Sequence, residues 1–223
     1  MSPGTVSMDA ADWDRRYGGA DLVWSAEPNV WVREVCTPMQ PGRALDIAAG
    51  EGRNALWLVE QGWDAVATDF SPVAVARTVE IAERRLAARR ESFTALVADA
   101  TQPPPRPRRD LLVDSGTGDG ATASDLVLLV YLHLPREQWR AALAAAVGAA
   151  APGGAVLVVA HALRNLAEGV GGPQDPSILL DPEDVVASAA DLPVEVELAQ
   201  LRTREVPGAE RPALDTVVLL RRR

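Results

Sequence analysis

Asp46, Gly50, Gly52 and Asp69 are residues whose types and spacing could do chemistry together. An apolar run, Ala44-Leu45-Asp46-Ile47, leads into Ala48-Ala49-Gly50-Glu51-Gly52-Arg53-Asn54. A second run, Ala65-Val66-Ala67-Thr68, ends at Asp69, about 20 residues past the turn. Glycine lets the backbone approach a ligand, and a carboxylate at this distance can accept from ribose hydroxyls. The layout narrows a bound cofactor to nicotinamide, flavin or S-adenosylmethionine. Two imidazoles stand further along, His133 and His161, each just after an apolar run. An unperturbed histidine titrates near about 6.5, which suits proton removal close to neutrality.

Strands must carry these residues to one edge. The pattern predicts strands over 43–48, 64–69, 93–98, 126–130, 155–160, 194–202 and 213–220. Pro28 is expected in the first turn of a helix running to Cys36. Further helices are expected over 52–61, from Ser71-Pro72 to Arg90, over 135–150, and from Asp181-Pro182 onward. A short helix is expected over Asp9–Tyr17, after a disordered 1–8. Alternating strands and helices that close on a hairpin-like pair argue for an α/β fold with a mostly parallel sheet. One domain over 1–223 is expected, with 9–40 as a helical N-terminal lid and 101–125 as an insert. The polar, glycine-rich stretch from His161 to Leu180 is long for a connection and is expected to wall the acceptor side.

The chain has 223 residues, a formal net charge of −9 and a pI of about 4.8. That balance argues against nucleic acid as a partner, because phosphate binding needs a basic face. A single cysteine fits a reducing cytoplasm. No signal peptide and no membrane-length apolar run is read. Two histidines and one cysteine far apart in sequence suggest no metal site. High alanine, and arginine in place of lysine, suggest a high-GC bacterial source.

With these motifs in hand, the chain resembles the class I S-adenosylmethionine-dependent methyltransferases over about residues 9–221. The resemblance rests on Leu45-Asp46-Ile47-Ala48-Ala49-Gly50-Glu51-Gly52-Arg53-Asn54, Thr68-Asp69-Phe70-Ser71-Pro72 and Ala98-Asp99-Ala100. It continues in Asp125-Leu126-Val127-Leu128-Leu129-Val130 and Ala151-Pro152-Gly153-Gly154. The Gly-Glu-Gly-Arg-Asn run, with Trp13, Tyr17 and Glu27-Pro28-Asn29, is most similar to the tellurite-resistance and thiopurine methyltransferase-like branch. Glycine is usual in the family where this chain has Ala48.

The resemblance implies a Rossmann-like three-layer sandwich with a seven-stranded, mostly parallel sheet whose last strand is antiparallel. It implies S-adenosylmethionine across the carboxyl ends of strands one, two and four. The Ala48–Gly50 backbone would hold the methionine part and Asp46 its amino group. Asp69 would take the ribose hydroxyls, Phe70 would pack on adenine, and Asp99 and the Ala100 amide would read its edge. Val130 would adjoin the sulfonium. Trp13, Tyr17 and Trp24 could form an aromatic lid or could be core. Arg53 could touch the methionine carboxylate or be a solvated helix position, and Asp99 could instead cap its own turn. Trp31, Trp57, Trp63 and Trp139 read as packing residues.

The expected reaction is methyl transfer to a small-molecule nucleophile by a monomer or homodimer, with His133 or His161 as a base where the acceptor is an alcohol or phenol. Two alternatives stand beside it: a non-catalytic S-adenosylmethionine-binding regulatory module, and a nicotinamide oxidoreductase. The latter lacks the third glycine of the usual fingerprint and a Tyr-x-x-x-Lys pair.

Overall fold

A computed structural model of the protein describes residues 26–105 and 123–223. The expected disorder of 1–8, the helix over 9–17, Trp13, Tyr17, Trp24 and most of the 101–125 insert lie outside the described residues.

Seven strands form one sheet in the order β3-β2-β1-β4-β5-β7-β6. They are β1 (Arg43–Ile47), β2 (Asp64–Asp69), β3 (Phe93–Val97), β4 (Ser124–Val130), β5 (Ala150–His161), β6 (Val194–Arg204) and β7 (Ala213–Arg222). β1 pairs in parallel with β2 and β4, and β5 in parallel with β4. β7 runs antiparallel to both β5 and β6, so the last strand is antiparallel, as expected.

Helices cover both faces: α1 (Val30–Cys36), α2 (Arg53–Glu60), α3 (Pro72–Arg85), α4 (Arg136–Ala149), α5 (Asn165–Glu168) and α6 (Pro182–Ala189). β4 shows why its sequence is continuously apolar. Leu126 and Leu128 point into the core with Trp31, Leu56, Trp57 and Trp63. Val127 and Leu129 point the other way, against Trp139, Leu143 and Val185. A parallel strand buried on both faces has no solvent side to mark with polar residues.

Several boundaries move for local reasons. Helix α1 starts after Asn29, whose side chain accepts from the Trp31 and Val32 amides. Pro28 therefore precedes the cap instead of occupying the first turn, since it has no side-chain oxygen to cap with. Strand β1 stops at Ile47 because Ala48 takes φ 57. Helix α3 stops at Arg85, short of Arg90: Leu86 is buried, Ala87 turns to φ 32, and Ala87–Ser92 continue as a 3-10 helix. Asp181 caps α6 in a reciprocal box with Asp184.

Candidate active site

The turn after β1 is built from three successive left-handed positions at alternate residues: Ala48 at φ 57, Gly50 at φ 57 and Gly52 at φ 74. Gly52 must lack a side chain, because a Cβ there would lie 2.4 Å from Thr78 Cγ2. The Thr78 hydroxyl lies 2.9 Å from the Gly50 carbonyl and ties α3 to the turn. Asp69, at the end of β2, accepts from the Gly50 amide at 2.8 Å and from the Ser71 amide at 3.0 Å. It thus fixes the glycine turn, a duty that spacing alone did not disclose. Asn54, in the first turn of α2, accepts from the Asn29 amide at 2.9 Å and holds the start of α1 against the site.

Asp46 lies within β1 at 2% exposure. Its Oδ2 is buried with no hydrogen-bond partner among the described residues. Burial raises its pKa to about 7, opposed by the Ala55 amide and by Arg53 and reinforced by Asp69. An unfilled acceptor of this kind fits an ammonium group, which would restore the charge and take the orphaned oxygen. Phe70, next to Asp69, is 39% exposed, which leaves a face open for a flat ring. Asp99 turns Oδ1 onto the Thr101 amide and hydroxyl, both at 2.8 Å, so it does cap its own turn. Ala100 follows it, partly buried. Val130 ends β4 opposite Val159.

A second cluster sits past the ends of β4 and β5. Tyr131, at φ 55, leaves β4 and sends its ring beside both histidines. The Tyr131 and His161 rings are 4.4 Å apart at 14°, and the His133 and His161 rings 5.4 Å apart at 8°. The structure thus brings the two sequence-predicted imidazoles together. Burial lowers the His133 pKa to about 4, with His161 adding to the effect. Burial also lowers that of His161, opposed by Asp215 and reinforced by Arg204. Gly172, at φ 76, covers one side of His161: a Cβ there would lie 3.0 Å from its Nδ1. The long loop after β5 therefore does pack on the histidine it follows.

Sequence reasoning missed the residue at the centre of this cluster. Asp215 in β7 is fully buried and accepts from Trp31 Nε1 at 2.8 Å, the Tyr131 hydroxyl at 3.0 Å and Arg204 Nε at 2.7 Å. His161 Nδ1 lies 3.5 Å from its other oxygen. A buried carboxylate needs this many donors to offset its lost hydration. The signal was present: Asp215 is an isolated acid in the apolar run Ala213–Leu220. Trp31 is buried, as expected, but its indole N–H also does electrostatic work. Among the described residues no group of three His, Cys, Asp or Glu could hold a metal ion, and no helix is long and apolar enough to cross a membrane.

The geometry agrees with comparisons to known proteins. A family model described as a methyltransferase domain matches residues 45–156, half of the chain. A hemagglutinin 1 of Eikenella corrodens is 36% identical over 76 residues, which are 34% of this chain and 24% of that protein. The chain thus matches about a quarter of the length of that curated relative. Among solved structures, one described as conversion of a disulfide bond into a thioacetal group during echinomycin biosynthesis has a TM-score of 0.67 at 20% identity, covering 96% of this chain and 89% of that one. The glycopeptide N-methyltransferase MtfA with S-adenosylmethionine gives 0.65 at 18% identity, over 99% and 100% of the two chains. TehB from Haemophilus influenzae gives 0.62 at 16% identity, over 96% and 67%. At these identities the structures speak for the fold. With the glycine turn, the strand-end acids and the matching family model, the chain belongs to the methyltransferase-domain family, the class I S-adenosylmethionine-dependent methyltransferases.

Proposed function

We propose that the protein transfers a methyl group from S-adenosylmethionine to a small-molecule nucleophile. The observation that carries this is the buried, unpartnered Asp46 Oδ2 beside the Ala48–Gly50 turn, an acceptor suited to the α-amino group of an amino-acid-bearing cofactor. When bound, that cofactor supplies an activated methyl group, so the protein's part is chiefly binding and positioning. In this reading Asp46 takes the ammonium and the turn backbone cradles the rest of the methionine moiety, with Arg53 near its carboxylate. Asp69 accepts from the ribose hydroxyls while keeping its two amide donors. Phe70 packs on adenine, and Asp99, whose Oδ1 caps the turn at Thr101, reads its edge through Oδ2 together with the Ala100 amide. Val130 walls the sulfonium side, and Trp13, Tyr17 and Trp24 are assigned to cofactor binding. His133 and His161 flank the acceptor.

Positioning of this kind can recover about 7–11 kcal/mol of barrier. The acidic balance of the chain favours a small acceptor over an anionic polymer. We place the protein in the tellurite-resistance and thiopurine methyltransferase-like branch, as a bacterial cytoplasmic enzyme, monomeric or homodimeric.

Calorimetry with S-adenosylmethionine, S-adenosylhomocysteine and NADH tests the reading. Binding of both adenosyl sulfur ligands by wild type, lost in Asp69→Ala, is the expected result, followed by turnover in a screen of small acceptors. Folded wild-type protein that ignores both ligands, or that takes NADH in their place, would overturn it.

A further inference from the structure

We propose that His161, not His133, is the base of the acceptor site, and that Asp215 is the positioning residue that holds it ready. The inference rests on the function proposed above and assigns roles within that site.

The argument begins with the ring's two edges. His161 and Asp215 face one another across the antiparallel β5–β7 ladder as register partners. This pairing brings the imidazole Nδ1 to 3.5 Å from Asp215 Oδ1. Nδ1 is itself buried, while the side chain keeps 13% exposure, so the accessible part of the ring lies elsewhere. Gly172 stands over Nδ1, Cγ and Cε1, and of the two ring nitrogens it is Nδ1, not Nε2, that is buried without a hydrogen bond among the described residues. A carboxylate beside Nδ1 selects the tautomer with the proton on Nδ1 and the lone pair on Nε2. A gap of 3.5 Å is longer than a hydrogen bond, and catalytic contacts of this kind often tighten only in the complex.

His133 lacks such support. Its Nε2 is buried with no hydrogen-bond partner among the described residues, and the group that acts on it electrostatically is the other imidazole, which opposes its protonation. It can therefore present a neutral ring, and among the described residues no anion acts on it to stabilise an imidazolium.

The proton step balances simply. An acceptor hydroxyl gives its proton to His161 Nε2, and the electron pair of the broken O–H bond stays on the oxygen as the nucleophile. The resulting imidazolium is held by Asp215 and later returns the proton to solvent. Arg204 opposes the imidazolium, while Tyr131 and Trp31 keep the carboxylate in place by hydrogen bonds. The acceptor class this implies is an alcohol or phenol, which must lose a proton, and not a soft anion.

Long-range proton–nitrogen NMR tests the assignment without any acceptor or cofactor. The chain has two histidines, so two ring systems appear, and His133→Gln assigns them. In wild type the neutral His161 ring is expected as the Nδ1–H tautomer. In Asp215→Asn the Trp31, Tyr131 and Arg204 donors claim the single amide oxygen and turn the NH2 toward His161. The tautomer should then switch to Nε2–H and the titration midpoint should fall. Arg204→Gln is the second variant, expected to raise the midpoint by removing a repelling charge. An Nε2–H tautomer in wild type, or a His161 ring indifferent to both substitutions in folded protein, would overturn the inference. Loss of adenosyl-ligand binding would instead strike the proposed methyl transfer, and calorimetry reads that separately.

Discussion

Trp31 Nε1 donates to Asp215 Oδ2 at 2.8 Å, joining α1 to β7 across 184 residues of sequence. The bond closes the ring of contacts that runs from the N-terminal helix through Tyr131 and Arg204 to the last strand. Its acceptor is a buried carboxylate that Arg204 also pairs, so the bond is stronger than one between neutral surface groups. Trp31→Phe keeps much of the ring packing and removes the N–H. The expected loss is about 1.5–3 kcal/mol of stability. Urea denaturation with an unchanged m-value would register it; a shift near zero would mean that the indole only packs.

Ala48 holds φ 57, a left-handed conformation that costs a residue with a Cβ about 1–2 kcal/mol. Glycine loses about 0.4–1 kcal/mol through its freer unfolded chain. Ala48→Gly should therefore be neutral to stabilising by about 1 kcal/mol, unlike most alanine-to-glycine changes. Thermal unfolding checks the sign, and a fall in Tm would place the strain elsewhere.

Gly52→Ala should do the opposite. The residue is at φ 74, and its Cβ would sit 2.4 Å from Thr78 Cγ2. Overpacking costs about 1–3 kcal/mol, added to the conformational term. Thr78→Ser keeps the hydroxyl between the Gly50 and Ala74 carbonyls and removes the clashing methyl. In the double variant, part of the lost stability should return, a coupling that a double-mutant cycle measures.

Two buried groups give stability opposite pH dependences. The Asp46 pKa is raised from 3.8 to about 7, so the folded state holds its proton more tightly. Its contribution is fully present below the lower value and is lost as pH rises through the higher one. The His133 pKa is lowered from 6.5 to about 4, so the unfolded state takes the proton first. Its contribution is present above the ordinary value and is lost as pH falls through the shifted one. Asp46→Asn should flatten the alkaline-side decline of Tm over about pH 4–7, and His133→Gln the acid-side decline over about pH 6.5–4. Each variant read across both windows separates the two terms, and unchanged profiles would refute the assignment.

The strand-end acids were legible because a βαβ unit writes its ligand contacts into local spacing. Asp46, Gly50 and Asp69 lie within one such unit, and the turn that joins them is short. Asn54 and Thr78 were not legible as tethers, since each acts through a backbone group of a different element. Helix α3 was read too long because nothing in Arg84-Arg85-Leu86-Ala87 opposes a helix locally. Burial of Leu86 and the turn at Ala87 end it.

By itself the sequence determined the alternation of strands and helices, the glycine turn, the acid that follows it and the family to which they belong. These depend on periodicity and on contacts close along the chain. Only the tertiary structure decided that His133 and His161 share one cluster and that Asp215 sits beneath it. That pairing arises from the antiparallel register of β5 and β7, where interstrand hydrogen bonds and two-sided burial set which residues face each other. No local pattern encodes that register, because it is the packed sheet as a whole that makes one alignment the stable one.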